Sequence, residues 1–470
     1  MEEYNSYMQD ESFRDHISTV DEVGKRIWVY PKKPNGFFTS ARNYVSYIFL
    51  LLFIAAPFIR IDGDPLILLN VPERKFILFG VIFWPQDFHL FLLAMISFIV
   101  FIVLFTVIYG RVFCGWACPQ TIFMEMVFRK IEYWIEGDWK SQMALDKSKL
   151  TIEKFFKKTS KHFIFFLFSF LISNLFLTYI IGTDEWWKIV TDNPVNHLGG
   201  FAVIVIFTFV FYMVYARFRE QICTTICPYG RLQGVLLDKN SINVAYDYLR
   251  GETRAHIKRG EDRASVGKGD CIDCHQCVQV CPTGIDIRNG VQLECINCTA
   301  CIDECDSIML KIGKPKGLIR YASEEGIRTK EPFRWTKRVI AYTIVLLILI
   351  SSFTILLATR PDVETTILRT PGMLYQSQGN GVYSNLYNFK IINKTRNKLP
   401  ITFRLMKHTG EIKLVGHFPE VKPNAISEGA LFIMLDQKDI KKIKTSIDVG
   451  IYEGTTLIDE VSTSFVGPVN

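Results

Sequence analysis

No cysteine precedes Cys114 and none follows Cys305, so all twelve lie in the middle of a 470-residue chain. The segments outside that window can form no disulfide. Thiols gathered in this way read as ligands or redox groups rather than structural bridges, as in a reducing compartment. The opening "MEEYNSYMQDESFRD" lacks the basic-then-apolar pattern of a cleavable signal peptide. The first apolar span is therefore expected to act as its own insertion signal, with residues 1–20 disordered.

Charge is almost missing from five long blocks, residues 43–59, 89–109, 162–181, 198–216 and 339–359. Each approaches the ~20 apolar residues that cross a hydrocarbon core. Five such blocks in one chain exclude an ordinary soluble protein and predict five transmembrane helices. Lys and Arg then orient them. Loop 110–161 holds ten, from Arg111 to Lys161, whereas loop 182–197 holds only Lys188. Segment 217–338 and the stretch from Lys25 to Arg42 are also basic. The positive-inside rule places all of these in the cytoplasm and leaves residues 360–470 outside, in the periplasm. Topology and anionic lipid headgroups account for the net charge of +7, and no nucleic-acid partner is needed.

The expected organisation is a multi-domain membrane protein. Residues 1–42 form a cytoplasmic N-terminal segment and 43–216 a region of four transmembrane helices. Residues 217–338 form a cytoplasmic segment with a ferredoxin-like α+β insert, and 339–359 the fifth helix. Residues 360–470 read as an all-β immunoglobulin-like sandwich, because "YNFKIINKT", "ITFRLM", "EIKLVG", "GALFIMLD" and "TSIDVGIYEG" alternate and are broken by turn residues. That sandwich reads as a binding or spacing module without chemistry. The "NKT" sequon at Asn393 is discounted as a chance match.

Eight cysteines fall in "CIDCHQCVQVCPTGIDIRNGVQLECINCTACIDEC". Cys271, Cys274, Cys277 and Cys281 have the spacing C-x-x-C-x-x-C-x-x-x-C, and Cys295, Cys298, Cys301 and Cys305 repeat it. This is the bacterial ferredoxin arrangement for two [4Fe–4S] clusters, in which each fourth cysteine serves the other cluster. The spacing assigns Cys271, Cys274, Cys277 and Cys305 to one cluster and Cys281, Cys295, Cys298 and Cys301 to the second. Paired zinc sites are the alternative, but zinc needs no doubled run with crossed fourth ligands. Gly284 suits the return turn after Pro282. Asp306 stands where many ferredoxins have proline, which puts the local turn, not the ligation, in question. His275 is expected to face solvent.

The other four cysteines form an internal repeat. The second block is followed by "GRVFCGWACPQ" and the fourth by "RFREQICTTICPYG", each with Cys-x-x-x-Cys-Pro, and the first and third spans are expected to complete two helix pairs. Proline suits the first position of a new helix. Cys118 and Cys227 are therefore expected at helix N-termini, where the macrodipole favours thiolate. Cys114, Cys118, Cys223 and Cys227 are candidates for one catalytic, metal-binding site at the inner membrane surface, and soft thiolates select Cu(I), zinc or an iron–sulfur cluster. The alternative is four packed small hydrophobes. His89 and His197 lie 25 and 26 residues before Cys114 and Cys223, about 40 Å along a helix, so they are expected at the outer face as hydrated residues.

The ferredoxin run through "KPKGLIRY", the paired "CGWACPQT" and "CTTICPYGRLQGVLLD", "FWPQ" and "IEGDW" together resemble the CcoG/FixG/RdxA accessory proteins of cbb-type cytochrome oxidases. The resemblance covers most of the chain, including a C-terminal β domain. It implies a redox protein of the bacterial cytoplasmic membrane that is required for oxidase assembly and reduces Cu(II) to Cu(I). The ferredoxin cysteines would then carry electrons from a cytoplasmic donor. The Cys114/Cys118 and Cys223/Cys227 pairs would be the copper site, with a copper chaperone or oxidase assembly factor receiving the product. An electron-transport subunit of a quinol-linked reductase is the rival reading, and a non-catalytic scaffold that needs clusters only to fold is a third.

Overall fold

The computed structural model describes residues 18–468 except 22, 62, 73–74, 259–262, 264, 332–334, 380, 396 and 417–419. The chain divides into two compact units, Met1–Phe353 and Thr354–Asn470. Among the described residues, five helices are long and apolar enough to cross a membrane: Phe37–Ala55, Phe88–Tyr109, Ile152–Ile181, Leu198–Phe218 and Lys337–Ala358. They coincide with the five blocks, but the first starts six residues earlier and the third ten. The early turns of the third carry Glu153, Lys154, Lys157, Lys158 and Lys161. Such charges hide a helical extension from any hydropathy window, although Thr151 caps it by accepting from Lys154 N.

Of the expected disordered residues 1–20, residues 1–17 lie outside the described part. Ser18, Thr19 and Val20 are ordered: Ser18 Oγ donates to Thr283 O, and Thr19 is fully buried.

The third and fourth spans pack along each other, with Ser173 Oγ donating to Ile204 O and Phe176 edge-on to Phe207 and Phe211. The expected pairing of the first span with the second gives way to another arrangement. Phe53 of the first span stacks on Tyr179 and meets Phe123 edge-on. Phe123 belongs to a π-helical stretch, Ile122–Phe128, that follows the first Cys-Pro motif. The second span instead meets helix Pro228–Leu236, which follows the second motif, through Thr106 Oγ1 and Tyr229 Oη 2.9 Å apart. The two halves of the repeat therefore interlock. Two elements between spans carry no strong local signal: a three-stranded antiparallel sheet, Ile67–Asn70, Lys75–Leu78 and Val81–Phe83, and helix Thr183–Thr191.

The basic stretch before the first span is a strap. Arg26 lies 4.3 Å and Arg219 4.8 Å from the Trp28 ring centre, a cation on either ring contact. Arg26 also pairs with Glu220 at 2.9 Å. Beneath the strap, Arg219 grips Glu132 through two bonds of 2.7 and 2.8 Å, and Lys161 holds Glu136 at 2.9 Å, all nearly out of solvent. Burial alone would push the Glu132 carboxyl up, but Arg219, Lys161 and Arg129 hold it below its usual range.

Residues 354–470 form two antiparallel sheets. One runs Gly410–Val415, Ala425–Asp436, Val382–Asn393, Val363–Arg369, with Gln376–Gly379 also pairing Val382–Asn393. The other runs Glu420–Val421, Leu399–Leu405, Lys444–Glu453, Thr456–Val466. Alternate residues of both, among them Tyr387, Ile391, Leu431 and Ile433 against Ile401, Ile447, Val449 and Ile451, fill the core. Asn393 is fully buried, its amide donating to Asn397 O, Val421 O and Lys422 O. It is a structural residue, not a glycan acceptor.

Removing one partner of a buried ion pair strands the other, at about 3–5 kcal/mol. Arg219→Ala is expected to lower the unfolding midpoint of the detergent-solubilised protein sharply, and the double variant Arg219→Leu/Glu132→Leu to lower it less. Since the Glu132 pKa is depressed on folding, its contribution is complete at neutral pH and lost only as pH falls through the folded value.

Candidate electron-transfer centre

The two cysteine loops share one unusual backbone. In Cys271–Cys277, Asp273 and His275 have φ of 53° and 54°, and at the matching places of Cys295–Cys301, Asn297 and Thr299 have 52° and 66°. None is glycine, and a non-glycine residue in the left-handed region costs about 1–2 kcal/mol. Short helices start directly after each pair, Gln276–Gln279 and Ala300–Lys311. Repetition of a costly conformation at equivalent positions marks a loop shaped around something. Gly284, at φ 75°, makes the return turn, and Asp306 sits inside Ala300–Lys311 with its carboxylate accepting from Gly317 N. Helix occupies the place of the common proline without disturbing the cysteines.

Cys271, Cys274, Cys277 and Cys305 line one cavity with Tyr246, Ile308, Met309 and Leu318. Cys281, Cys295, Cys298 and Cys301 line a second with Val244, Ile285, Ile287 and Ile296, and Cys277 forms part of that wall too. Among the described residues the buried Tyr246 hydroxyl has no hydrogen-bond partner, and the Cys271 sulfur stands nearby. An idle buried donor aimed into a thiol-lined cavity fits an anionic group there, and a polynuclear iron–sulfur cluster is such a group. Burial raises the free thiols, Cys277 and Cys295 to about 12 and Cys281 to about 11, so loading must displace protons. His275 is half-exposed as expected, and its Nδ1 also lies 2.9 Å from Arg288, which bridges Asp273 and Asp286.

The four membrane cysteines sit where the spans end. Cys114 lies in the short helix Val112–Trp116 and Cys223 in the π-helical turn Ile222–Ile226. Cys118 and Cys227 are N-caps, with Pro119 and Pro228 opening the next helices. Helix Pro228–Leu236 lies so close over Cys223 that a Cβ at Gly230 would stand 2.6 Å from Cys223 O. All four come within electrostatic reach: Cys223 faces Cys118, Cys114 and Cys227. The expected thiolate preference is not found at Cys118. Burial lifts its pKa, outweighing bonds from Gln120 and Thr121 N–H, and lifts Cys114 to about 11 and Cys223 to about 12. Desolvation of a charge exceeds what the first turn of a three-residue helix returns.

Sequence reasoning missed the neighbours that matter most. Arg111, buried, and Cys114 Sγ both donate to Gln233 Oε1, at 2.8 and 3.2 Å. Trp116 Nε1 donates to Tyr321 Oη at 3.1 Å. The available signals were a glycine and a tryptophan inside Cys-Gly-Trp-Ala-Cys-Pro. Among the described residues, no three His, Cys, Asp or Glu side chains converge on a single-ion site, and this holds for the ferredoxin cysteines as well as the membrane ones. His89 is exposed at the first turn of the second span, and His197 lies 3.1 Å from Asp192. Neither joins the cysteines.

A hydrogen bond to a ligating sulfur stabilises the reduced, more negative cluster. Tyr246→Phe is expected to leave iron content unchanged and to lower one midpoint potential by roughly 20–60 mV, read by redox titration of the iron–sulfur signals.

Comparison with known proteins agrees with this chemistry. A 4Fe-4S dicluster domain matches residues 218–324, a 4Fe-4S binding domain matches 91–142, and the IG-like fold at the C-terminal of FixG matches 353–468. The nitrogen fixation protein FixG of Rhizobium meliloti is 37% identical over 308 residues, 64% of this chain and 58% of FixG. The match therefore spans little more than half of FixG. Proteins RdxA and RdxB of Cereibacter sphaeroides are 34% and 35% identical, covering 78% and 80% of this chain and 79% and 81% of their own. The protein is thus a membrane iron–sulfur electron-transfer protein, and the chain belongs to the FixG/RdxA family.

Proposed function

We propose that the chain delivers single electrons from a cytoplasmic donor to Cu(II) at the membrane face, providing Cu(I) for assembly of a cbb-type cytochrome c oxidase. In this reading Cys271, Cys274, Cys277 and Cys305 hold one [4Fe–4S] cluster, and Cys281, Cys295, Cys298 and Cys301 hold the other. Such clusters supply one-electron storage and no bond-making. The observation that carries the reading is that Cys114 packs in one buried group with Cys298, Ile296 and Ala300, so one of the membrane cysteines adjoins residues that line the second cavity.

Copper enters as substrate. Cys114, Cys118, Cys223 and Cys227 offer soft ligands that favour the reduced ion. An incomplete cage suits an ion that must leave, by exchange onto a chaperone or assembly factor with more numerous ligands. Buried thiols near Arg111 exchange their protons for the cation. The strap, the segment after the second span and the ferredoxin region touch one another, as in Lys33 N to Asp138 and Lys32 to Glu304, which supports a common cytoplasmic side. Five crossings then give residues 360–470 to the periplasm of a bacterial inner membrane.

A second reading has its own support. The 4Fe-4S binding-domain match over residues 91–142 contains Cys114 and Cys118, which favours a further cluster held by the membrane cysteines. Metal analysis of anaerobically purified protein separates the two: about eight irons with bound copper against about twelve irons and none.

The function is tested by following Cu(II) reduction by the dithionite-reduced, desalted protein. Cys114→Ser/Cys118→Ser is expected to slow it roughly 10–100-fold while the ferredoxin signals persist. Equal rates would remove the membrane cysteines from the mechanism.

A further inference from the structure

The two cysteine loops have matching backbones but opposite surroundings. In the first, the left-handed positions are Asp273 and His275, with side chains 30% and 53% exposed. In the second they are Asn297 and Thr299, both buried. The buried loop rests on the turn between the second span and Cys118. A Cβ on Gly115 would stand 2.3 Å from Ile296 O and 2.9 Å from Asn297 O, so these backbones touch with no room for a methyl group. Trp116, the next residue, reaches Tyr321, whose hydroxyl also donates to Asn297 O at 3.3 Å. From the other side, Arg42 of the first span donates to Cys298 O at 2.9 Å.

We propose that Gly115 is a positioning residue that seats the Ile296–Thr299 loop against Cys114, making the cavity of Cys281, Cys295, Cys298 and Cys301 the exit for electrons and the cavity of Cys271, Cys274, Cys277 and Cys305 the entry. The inference rests on the reading that electrons pass from the ferredoxin region to the membrane cysteines. One electron leaves the exit site, which is oxidised by one, and one Cu(II) at the membrane cysteines becomes Cu(I), with no proton or bond exchanged. Electron tunnelling falls exponentially with distance, so the contact sets the rate. Any side chain at residue 115 forces the two surfaces apart by about 1 Å, the gap between 2.3 Å and the 3.4 Å at which ordinary contact begins.

The test compares full-length wild type, Gly115→Ala and Trp116→Phe, each purified anaerobically and checked for iron content. Redox titration by EPR spectroscopy reads the two iron–sulfur signals, and freeze-quench EPR reads their re-oxidation by Cu(II). In Gly115→Ala one signal is expected to shift in potential while the other stays. Re-oxidation by Cu(II) should slow several-fold, since the tunnelling rate falls exponentially over the added distance. Re-oxidation by ferricyanide, a small oxidant that needs no membrane site, should be unchanged. Trp116→Phe keeps the backbone contact and loses only the bond to Tyr321, so it should slow Cu(II) re-oxidation to a lesser extent. A wild-type Cu(II) rate in iron-replete Gly115→Ala, or signals that both shift or both stay, overturns the inference. If Gly115→Ala does not fold, a wild-type rate in Trp116→Phe overturns it. Should wild type itself leave Cu(II) unreduced, the copper reading falls alone, and the one-signal shift still decides which cavity meets Gly115.

Discussion

A buried guanidinium on a ferredoxin carbonyl is the bond around which this molecule is arranged. Arg42, from the first membrane helix, spends its charge on Cys298 O, and both are out of solvent. Arg42 Nη1 is used on that carbonyl while its buried Nε has no partner among the described residues, so losing the one bond would strand the cation, and the site commits the first span and the second cysteine loop to one geometry. The same helix begins on Asp303, whose carboxylate accepts from Phe38 N, Thr39 N and Thr39 Oγ1. A ferredoxin side chain thereby caps a membrane helix and places a negative charge at its positive end. The electron-carrying region is thus not a tethered domain that visits the bilayer. Its loop, the start of the first span and the turn after the second share one interior.

That commitment explains the electrostatics of the thiols. Close seating excludes water, and water exclusion raises every buried cysteine whose shift is resolved. The helix N-terminus at Cys118 does not reverse this, because one turn of aligned peptides returns less than desolvation removes. The positive charge comes instead from buried or half-buried arginines. Arg111 faces Cys114, Cys223 and Cys295, and Arg288 faces Cys277. Arginine keeps its proton in such places where lysine would lose it, so these two cations persist beside sites that become anionic on loading.

The ferredoxin spacing, the five spans and the alternating strands of the C-terminal unit were legible because each is a local pattern. Cys271 to Cys277 can be recognised as a ligand loop from seven consecutive letters, and Ile447, Val449 and Ile451 declare a buried strand face by period two. The parts that decide the site are not local. Arg42 meets Cys298 across 256 residues and Trp116 meets Tyr321 across 205. No periodicity encodes those encounters. The charged start of the third span was hidden for a different reason, since hydropathy reads Lys158 and Lys161 as loop while their partners Asp146 and Glu136 make them helix. The π-helical stretch Ile122–Phe128 was equally silent, its sequence being that of any amphipathic helix.

Duplication lets one backbone serve two different surroundings. Both loops have left-handed residues at the same two places, Asp and Asn at the first, His and Thr at the second. Asn297 is the better fit for an interior, because its amide donates to Asn243 Oδ1 while its oxygen accepts from Val244 N. Aspartate there would bring an uncompensated charge into a packed interface. Asp273 faces the opposite requirement: it keeps its charge because Arg288 and the half-exposed His275 stand beside it. An amide for one loop and a carboxylate for the other therefore follow from their surroundings, a packed interior around Asn297 in one case and a half-exposed surface beside Arg288 in the other.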